Sequence, residues 1–124
     1  MIGLDYRSFD ASGNYSTKRS TPERTLVIGK TMMFGVQYAE AFMNNNLLLV
    51  ASNPCKDSDD LAMNFLIRAK GHIPIVLSPR KRGRTYLNDV DGLSNTRKWS
   101  KWMQARSQCV RWVQGVFNFK KQEV

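Results

Sequence analysis

The C-terminal part of the chain carries the strongest periodic pattern, and this pattern predicts a long helix. From Trp99 onward, apolar residues recur three and four positions apart and fill one half of a helical wheel, while Lys, Arg and Gln occupy the other half. A helix of about five turns with one apolar face needs a surface to pack against. We therefore expect this helix to be covered, either by the rest of the domain or in a homodimer formed through it.

Arg106 is the exception on that wheel, because it lies within the apolar half. Its long side chain can lie along Trp102 or Trp99, reach a buried carboxylate or point into a pocket. We favour packing along a tryptophan. The tryptophans themselves are spaced as core or interface residues.

Short apolar segments alternate with helical ones in the middle of the chain. We predict strands over residues 25–29, 47–51 and 73–77, and helices over 32–43 and 59–70. A helix start at residues 20–23, with Pro22 at its first position, is the alternative to the first strand. The order β-α-β-α-β predicts an α/β domain with a small three-stranded, mainly parallel Rossmann-like sheet, flanking helices and the C-terminal amphipathic helix.

Size and composition predict one domain preceded by a polar segment. Residues 1–24 include a stretch rich in Ser, Thr, Gly and Asn, which indicates an N-terminal arm or loop, and residues 25–124 form the single domain. Small secreted scaffolds usually have more than the two cysteines of this chain, so we expect a reducing cytoplasm. The start of the chain lacks the apolar stretch of a signal peptide, and the longest apolar run is far shorter than the ~20 residues of a membrane span. We expect no membrane partner.

All of the net charge of +9 comes from the second half of the chain. Residues 1–67 carry six Lys/Arg and seven Asp/Glu, whereas residues 68–124 carry thirteen and three. Such asymmetry is typical of proteins that bind a polyanion. The sequence therefore predicts nucleic acid, or another polyanion such as a nucleotide, as the partner.

The basic side chains concentrate in a loop at residues 80–84 and at the start of the last helix. Arginine can fork onto a phosphate and also lie flat on a base, and a helix start offers free N–H groups to an anion. We expect loop and helix to form one anion-binding surface; the alternative is a solvated patch of charge. The candidate phosphate-binding residues are Arg80, Lys81, Arg82, Arg84, Asn95, Arg97, Lys98, Lys101 and Arg111, with Tyr86 as a candidate stacking side chain.

Acidic residues and the single histidine do not form a recognisable catalytic or metal-binding motif. Asp57, Asp59 and Asp60 are positioned to cap a helix, and Asp91 with Gly92 is a turn signal. The alternative is that the pair Asp89 and Asp91, or the first group, holds Mg²⁺ beside a basic cleft as in a nuclease. His72 has no second ligand at a familiar spacing. We therefore predict no catalytic residue, no metal site and no cofactor.

The middle of the chain resembles a known superfamily over residues 25–78. The resemblance is carried by five consecutive segments. They are a strand ending in Gly29, a helix, the predicted strand at 47–51, Asp59-Asp60-Leu61-Ala62 at a helix start, and the segment 70–76 closing into a strand. This stretch is similar to the SLOG superfamily of Rossmann-like nucleotide-binding domains. The resemblance implies that Ser52, Asn53 and Ser58 contact a nucleotide.

Three functions follow from these patterns. The first is a small basic nucleic-acid-binding protein, directed at the phosphate backbone and without catalytic activity. The second, which rests on the resemblance, is a nucleotide or cyclic-nucleotide binder that sequesters a signal or hydrolyses its ligand. The third is a protein interaction module that uses the Trp-rich C-terminal helix.

Overall fold

Two small sheets and four helices make up the part of the chain that the computed structural model describes, namely residues 1–29, 32–50, 52–77 and 98–117. The strands are β1 (Ile2–Gly3), β2 (Tyr6–Phe9), β3 (Tyr15–Ser16), β4 (Thr25–Val27), β5 (Met32–Met33) and β6 (Ile75–Val76). The helices are α1 (Val36–Met43), α2 (Asn46–Leu49), α3 (Asp59–Ala69) and α4 (Trp99–Phe117).

Each sheet has three strands, and most pairings are antiparallel. In the first sheet the order is β5-β1-β6, where β1 is antiparallel to β5 and parallel to β6. In the second the order is β3-β2-β4, and both pairings are antiparallel. The predicted mainly parallel Rossmann-like sheet is therefore wrong. The connectivity of the strands explains the difference, because β2 and β3 are joined by a short turn, which only antiparallel strands allow.

The segment predicted to be a polar arm supplies three of these strands. Phe9 on β2 and Tyr15 on β3 pair across the hairpin and are buried in the core. The residues that made this segment look unstructured form the turn between them. Asp10 accepts hydrogen bonds from the backbone N–H groups of Ser12 and Asn14, both at 2.9 Å, which closes the loop.

The elements of the middle of the chain are partly as predicted. The strand at 25–29 is confirmed as β4, and the Pro22 helix start accounts for a single 3₁₀ turn ahead of it. The strand predicted at 47–51 is wrong, because α2 occupies that position. Asn45 explains the difference, since its side chain accepts hydrogen bonds from the N–H groups of Leu47 and Leu48 and so starts a helical turn.

Helix α3 is confirmed and lies at the centre of the molecule. Residues 61–68 are buried without exception, and α3 packs against α4, α1 and β4. Two acids, Asp59 and Asp60, occupy its first turn. It ends before Gly71, whose φ of +88° is the left-handed conformation that glycine adopts readily after a helix.

Helix α4 is also confirmed, and the domain itself covers its apolar face. Cys109, Val110 and Val113 are fully buried in the same core as α3. Trp102 is half-buried against that core, whereas Trp99 is 57% exposed. A homodimer through this helix stays a prediction.

A disulfide joins Cys55, in the loop before α3, to Cys109 on α4. Both sulfur-bearing side chains are buried. Disulfides of this kind are typical of proteins in oxidising compartments. The cytoplasmic location stays a prediction, and the disulfide does not favour it. Within the described ranges no helix is long and apolar enough to cross a membrane.

Candidate functional site

An ion pair between a buried arginine and a largely buried aspartate joins the start of α3 to the middle of α4. Arg106 donates from Nη1 to Asp60 Oδ1 at 2.8 Å and from Nη2 to Asp60 Oδ2 at 2.9 Å, which is the two-pronged geometry of a strong pair. The side chains are 14% exposed for Asp60 and 7% for Arg106. Gly29 donates its backbone N–H to Asp60 Oδ2 at 3.1 Å. The carboxylate is thus fixed by three donors, two from Arg106 on α4 and one from the loop that follows β4.

Asn64 places the first turn of α3 against β4. Its Oδ1 accepts from Val27 N at 2.8 Å, and its Nδ2 donates to Val27 O at 2.5 Å and to Asp60 O at 2.7 Å. The strand β4 lies at the edge of its sheet, so Asn64 satisfies backbone groups that no strand pairs. One side chain therefore fixes the position of the turn that carries Asp60.

The guanidinium of Arg106 lies over two aromatic rings that are nearly perpendicular to each other. Its central carbon lies 4.9 Å from the ring centroid of Tyr15 and 5.1 Å from that of Trp102, and Nη2 donates to the Tyr15 hydroxyl at 3.2 Å. Burial by itself lowers the pKa of Arg106, but the hydrogen bonds and charge of Asp60 outweigh it, and the net shift is upward. Burial also raises the pKa of Tyr15, and Arg106 partly opposes this. Arg106 therefore remains a fixed cation beside Asp60.

Asp60 lines an open cavity of about 380 Å³. Apolar side chains, among them Phe34, Phe42 and Met63, form most of the rest of its wall, and Asp59 lies beside Asp60. The volume falls within the range of about 300–1,000 Å³ that small-molecule sites occupy. Apolar walls with a few fixed polar groups are the usual construction of such sites.

The structure places the predicted phosphate-binding residues away from this cavity or does not describe them. Lys98 and Lys101 are exposed at the start of α4. Arg111 donates to Ser12 O at 3.3 Å and to the side chain of Asn14, so it braces the β2–β3 loop. The remaining candidates lie outside the described residues: Arg80, Lys81, Arg82, Arg84, Tyr86, Asn95 and Arg97.

Two of the three residues that the resemblance assigned to a nucleotide, Asn53 and Ser58, are buried within the fold. Asn53 is buried, and its Nδ2 donates to the carbonyls of Leu48 and Val50 at 2.9 and 2.7 Å. Ser58 is buried at the N-cap of α3, and Ser52 is exposed. The predicted strand before them is the helix α2, so the strand-loop-helix unit of the resemblance does not form here.

Sequence reasoning assigned Asp60 to helix capping and did not select Arg106 as a functional residue. The sequence signal for this site was Arg106 itself, because it is a charged residue in the apolar half of the helical wheel. A bond to a buried carboxylate was one of the three interpretations of its position. The interpretation that we favoured, packing on a tryptophan, is confirmed for Trp102. Asp60 was not identified as the partner of Arg106, because α3 and α4 come into contact only in the folded chain.

Together, the fold and the site define a protein of helices and small, mostly antiparallel sheets, with a charged pair fixed beside a cavity of the size that small-molecule sites occupy. Residues 1–121 match the family model of the glycosyl transferase family 64 domain. The match spans nearly the whole chain, so the chain belongs to glycosyl transferase family 64. No curated protein and no solved structure matches it.

The family corrects the predicted functions. A nucleic-acid-binding protein without catalytic activity is wrong, and so are the nucleotide-binding and interaction-module alternatives, because the domain is one of glycosyl transfer. The SLOG resemblance is wrong for the same reason. It rested on a strand and helix alternation that many α/β proteins share.

Proposed function

We propose that the protein takes part in glycosyl transfer, in which a sugar moves from an activated donor to an acceptor, and that the cavity beside Asp60 holds a sugar ring. Membership of the family supports the class of reaction. The observation that carries the site is the Asp60–Arg106 pair, which is buried on one side and borders the cavity on the other.

The cavity suits both faces of a sugar. A pyranose has an apolar surface of C–H groups and an edge of hydroxyl groups. Phe34, Phe42 and Met63 offer the apolar wall, and the carboxylates of Asp59 and Asp60 offer acceptors to hydroxyl donors. A purely apolar ligand would leave these carboxylates without new partners, so the wall selects a ligand with hydroxyl groups.

Asp60 retains the capacity to bind such a hydroxyl. An ionised carboxylate has about four lone-pair positions, and the structure fills three of them with Arg106 and Gly29. A sugar hydroxyl in the cavity would complete the set. Because Arg106 holds both oxygens, the carboxylate is oriented before the ligand arrives, and little side-chain freedom is lost on binding.

The test is turnover of the full chain with a panel of activated sugars, followed as release of the donor's leaving group. Where turnover is found, we expect Asp60→Asn to lower kcat/KM by about 10- to 150-fold, the equivalent of a lost charged hydrogen bond of about 1.5–3 kcal/mol. The matched control is Asp57→Asn, which changes an exposed acid of the same segment that does not line the cavity. The control should keep the wild-type rate.

Folding must be followed beside the rate, because Asp60→Asn leaves Arg106 buried without its counter-charge. Loss of one partner of a buried pair costs about 3–5 kcal/mol of stability. The rate is therefore compared at a temperature at which thermal unfolding curves show both proteins folded. A folded Asp60→Asn variant with the wild-type kcat/KM would contradict the proposed site, and absence of transfer from every activated sugar would contradict the proposed reaction.

A further inference from the structure

The hairpin loop between β2 and β3 contains a feature that the ion pair and the cavity do not use. Asn14-Tyr15-Ser16 is the one Asn-x-Ser/Thr triplet of the chain, and its middle residue is not proline. This triplet is the acceptor pattern for N-linked glycans, which occupy surface loops. Asn14 is exposed at the end of that loop, which agrees with the requirement.

The present hydrogen bonds of the exposed Asn14 amide leave one of its two hydrogens for replacement by a sugar. Its Nδ2 donates to Asp10 Oδ2 at 2.8 Å, and its Oδ1 accepts from Arg111. An amide nitrogen carries two hydrogens, so one remains beyond the bond to Asp10. Replacement of that hydrogen by a sugar keeps the bond to Asp10 and leaves the oxygen bound to Arg111.

The disulfide supplies an independent observation about the compartment. Cys55 and Cys109 are bonded to each other in the core, and such bonds form and persist where the surroundings are oxidising. Eukaryotic chains meet these conditions in the lumen of the secretory pathway, where N-linked glycans are also attached. The disulfide and the triplet therefore point to the same compartment, although they lie in different parts of the sequence.

We propose that Asn14 carries an N-linked glycan. The co-substrate is a lipid-linked pyrophosphate oligosaccharide: a bond forms between Asn14 Nδ2 and C1 of the first sugar, the C1–O bond to the pyrophosphate breaks, and the amide nitrogen loses one proton. No oxidation or reduction takes place. This proposal concerns modification of the protein and does not rest on the proposed transferase function.

The fold also fixes when the modification occurs. Tyr15 is buried and its N–H donates to Ser107 Oγ at 2.9 Å, while Ser16 Oγ accepts from Lys18 N at 3.1 Å. Once the hairpin has docked on α4, Tyr15 is covered and its N–H is bonded to α4, so an enzyme that reads all three residues has no access to the triplet. The glycan is therefore attached before the hairpin docks, during or just after synthesis.

The experiment is peptide mapping of the full chain, directed into the secretory pathway of a eukaryotic cell by a cleavable signal and recovered with its disulfide formed. Trypsin cleaves after Arg7 and Lys18 and releases the segment 8–18 with the triplet inside. We expect this peptide to carry a glycan, and peptide N-glycosidase in heavy-oxygen water to leave the isotope label at Asn14. Recovery of the peptide only in its unmodified form would overturn the proposal.

Variants of Ser16 assign the glycan without a change to Asn14 and its contacts. Ser16→Ala removes the hydroxyl that the acceptor pattern requires and should abolish the mass increase, whereas Ser16→Thr restores the pattern and should retain it. Ser12→Ala, a change in the same loop outside the triplet, is the matched control and should be glycosylated as the wild type. A mass increase that persists in Ser16→Ala would place the modification elsewhere and overturn the assignment.

Discussion

At Arg106, three kinds of contact act on one guanidinium. Asp60 binds it through two hydrogen bonds, its central carbon lies over the rings of Tyr15 and Trp102, and the Tyr15 hydroxyl accepts a further bond. Its Nε has no partner among the described residues. A buried cation with one donor already unpartnered is sensitive to the loss of another.

We predict that Tyr15→Phe destabilises the protein by about 1–3 kcal/mol. The substitution keeps the ring that covers Arg106 and removes only the hydroxyl that accepts from Nη2, so a buried charged donor loses its partner. Urea unfolding measures the difference. Tyr38→Phe is the matched control, because Tyr38 is a half-buried tyrosine that packs against His72 and not against the ion pair. Equal losses in the two variants would contradict this account of Arg106.

Asp10 gives a second prediction at the scale of one residue, in the pH dependence of stability. Hydrogen bonds from Asn14 hold the pKa of Asp10 below its ordinary value of 3.8. A carboxyl whose folded pKa is depressed stabilises the fold above its unfolded pKa, and this contribution is lost as the pH falls through the folded pKa. We expect Asp10→Asn to lose less stability than the wild type between about pH 5 and pH 2.

Urea titrations at several pH values in that range measure the effect of Asp10. Ser12→Ala keeps the carboxyl and the backbone N–H of residue 12, so it should follow the wild-type curve. Parallel curves for Asp10→Asn and the wild type would show that the loop bonds do not favour the ionised form.

At the scale of elements, α3 and α4 hold the site together, and the disulfide joins them. Cys55 precedes α3 by a few residues, and Cys109 lies one turn of α4 beyond Arg106. The disulfide therefore joins the same two parts of the fold, α4 and the start of α3, as the Asp60–Arg106 pair does. Its sequence separation of 54 residues closes a long loop in the unfolded chain.

We predict that replacing both cysteines by alanine costs about 2–5 kcal/mol of unfolding free energy. The closed loop restricts the unfolded chain, and the variant releases that restriction. Chemical denaturation under oxidising conditions measures the loss, and the reduced wild type should approach the variant. A variant as stable as the oxidised wild type would contradict a structural role for the disulfide.

The helices show how much of the fold could be predicted from the sequence. Both α3 and α4 could be predicted, because each has an apolar face with regular spacing and α3 has acids at its start and Gly71 after its end. The structure of the segment 47–51 could not be predicted, because a short apolar run fits a strand or a helix. The side-chain hydrogen bonds of Asn45 favour the helix. The hairpin in residues 1–24 was missed because its polar residues are turn formers and its apolar ones are few.

The site was harder to predict than the helices and strands, because its residues are far apart in the sequence. Asp60 and Arg106 are 46 residues apart, and each had a sufficient local explanation as a capping acid and a tryptophan-packed cation. Only the docking of α3 on α4 brings them together. The net positive charge, by contrast, drew attention to side chains that the structure leaves exposed or that lie outside its described ranges.

At the scale of the whole molecule, the central claim is that a family 64 glycosyl transferase uses the cavity beside the Asp60–Arg106 pair. The cavity opens between α1 and α3, and Met43 lines it although its side chain is 63% exposed. A larger residue there would obstruct the cavity while the core and the ion pair remain intact. Exposed substitutions of this kind usually change stability by about 0.5 kcal/mol or less.

The most direct measurement is kcat/KM for sugar transfer by Met43→Trp beside Val36→Trp, a variant on the same helix at a residue that is 72% exposed and does not line the cavity. The account predicts that Met43→Trp loses activity by about tenfold or more, because the sugar can no longer adopt its position, while both variants unfold at the wild-type temperature. Val36→Trp should keep the wild-type rate. Full activity of a folded Met43→Trp protein would contradict the assignment of the cavity.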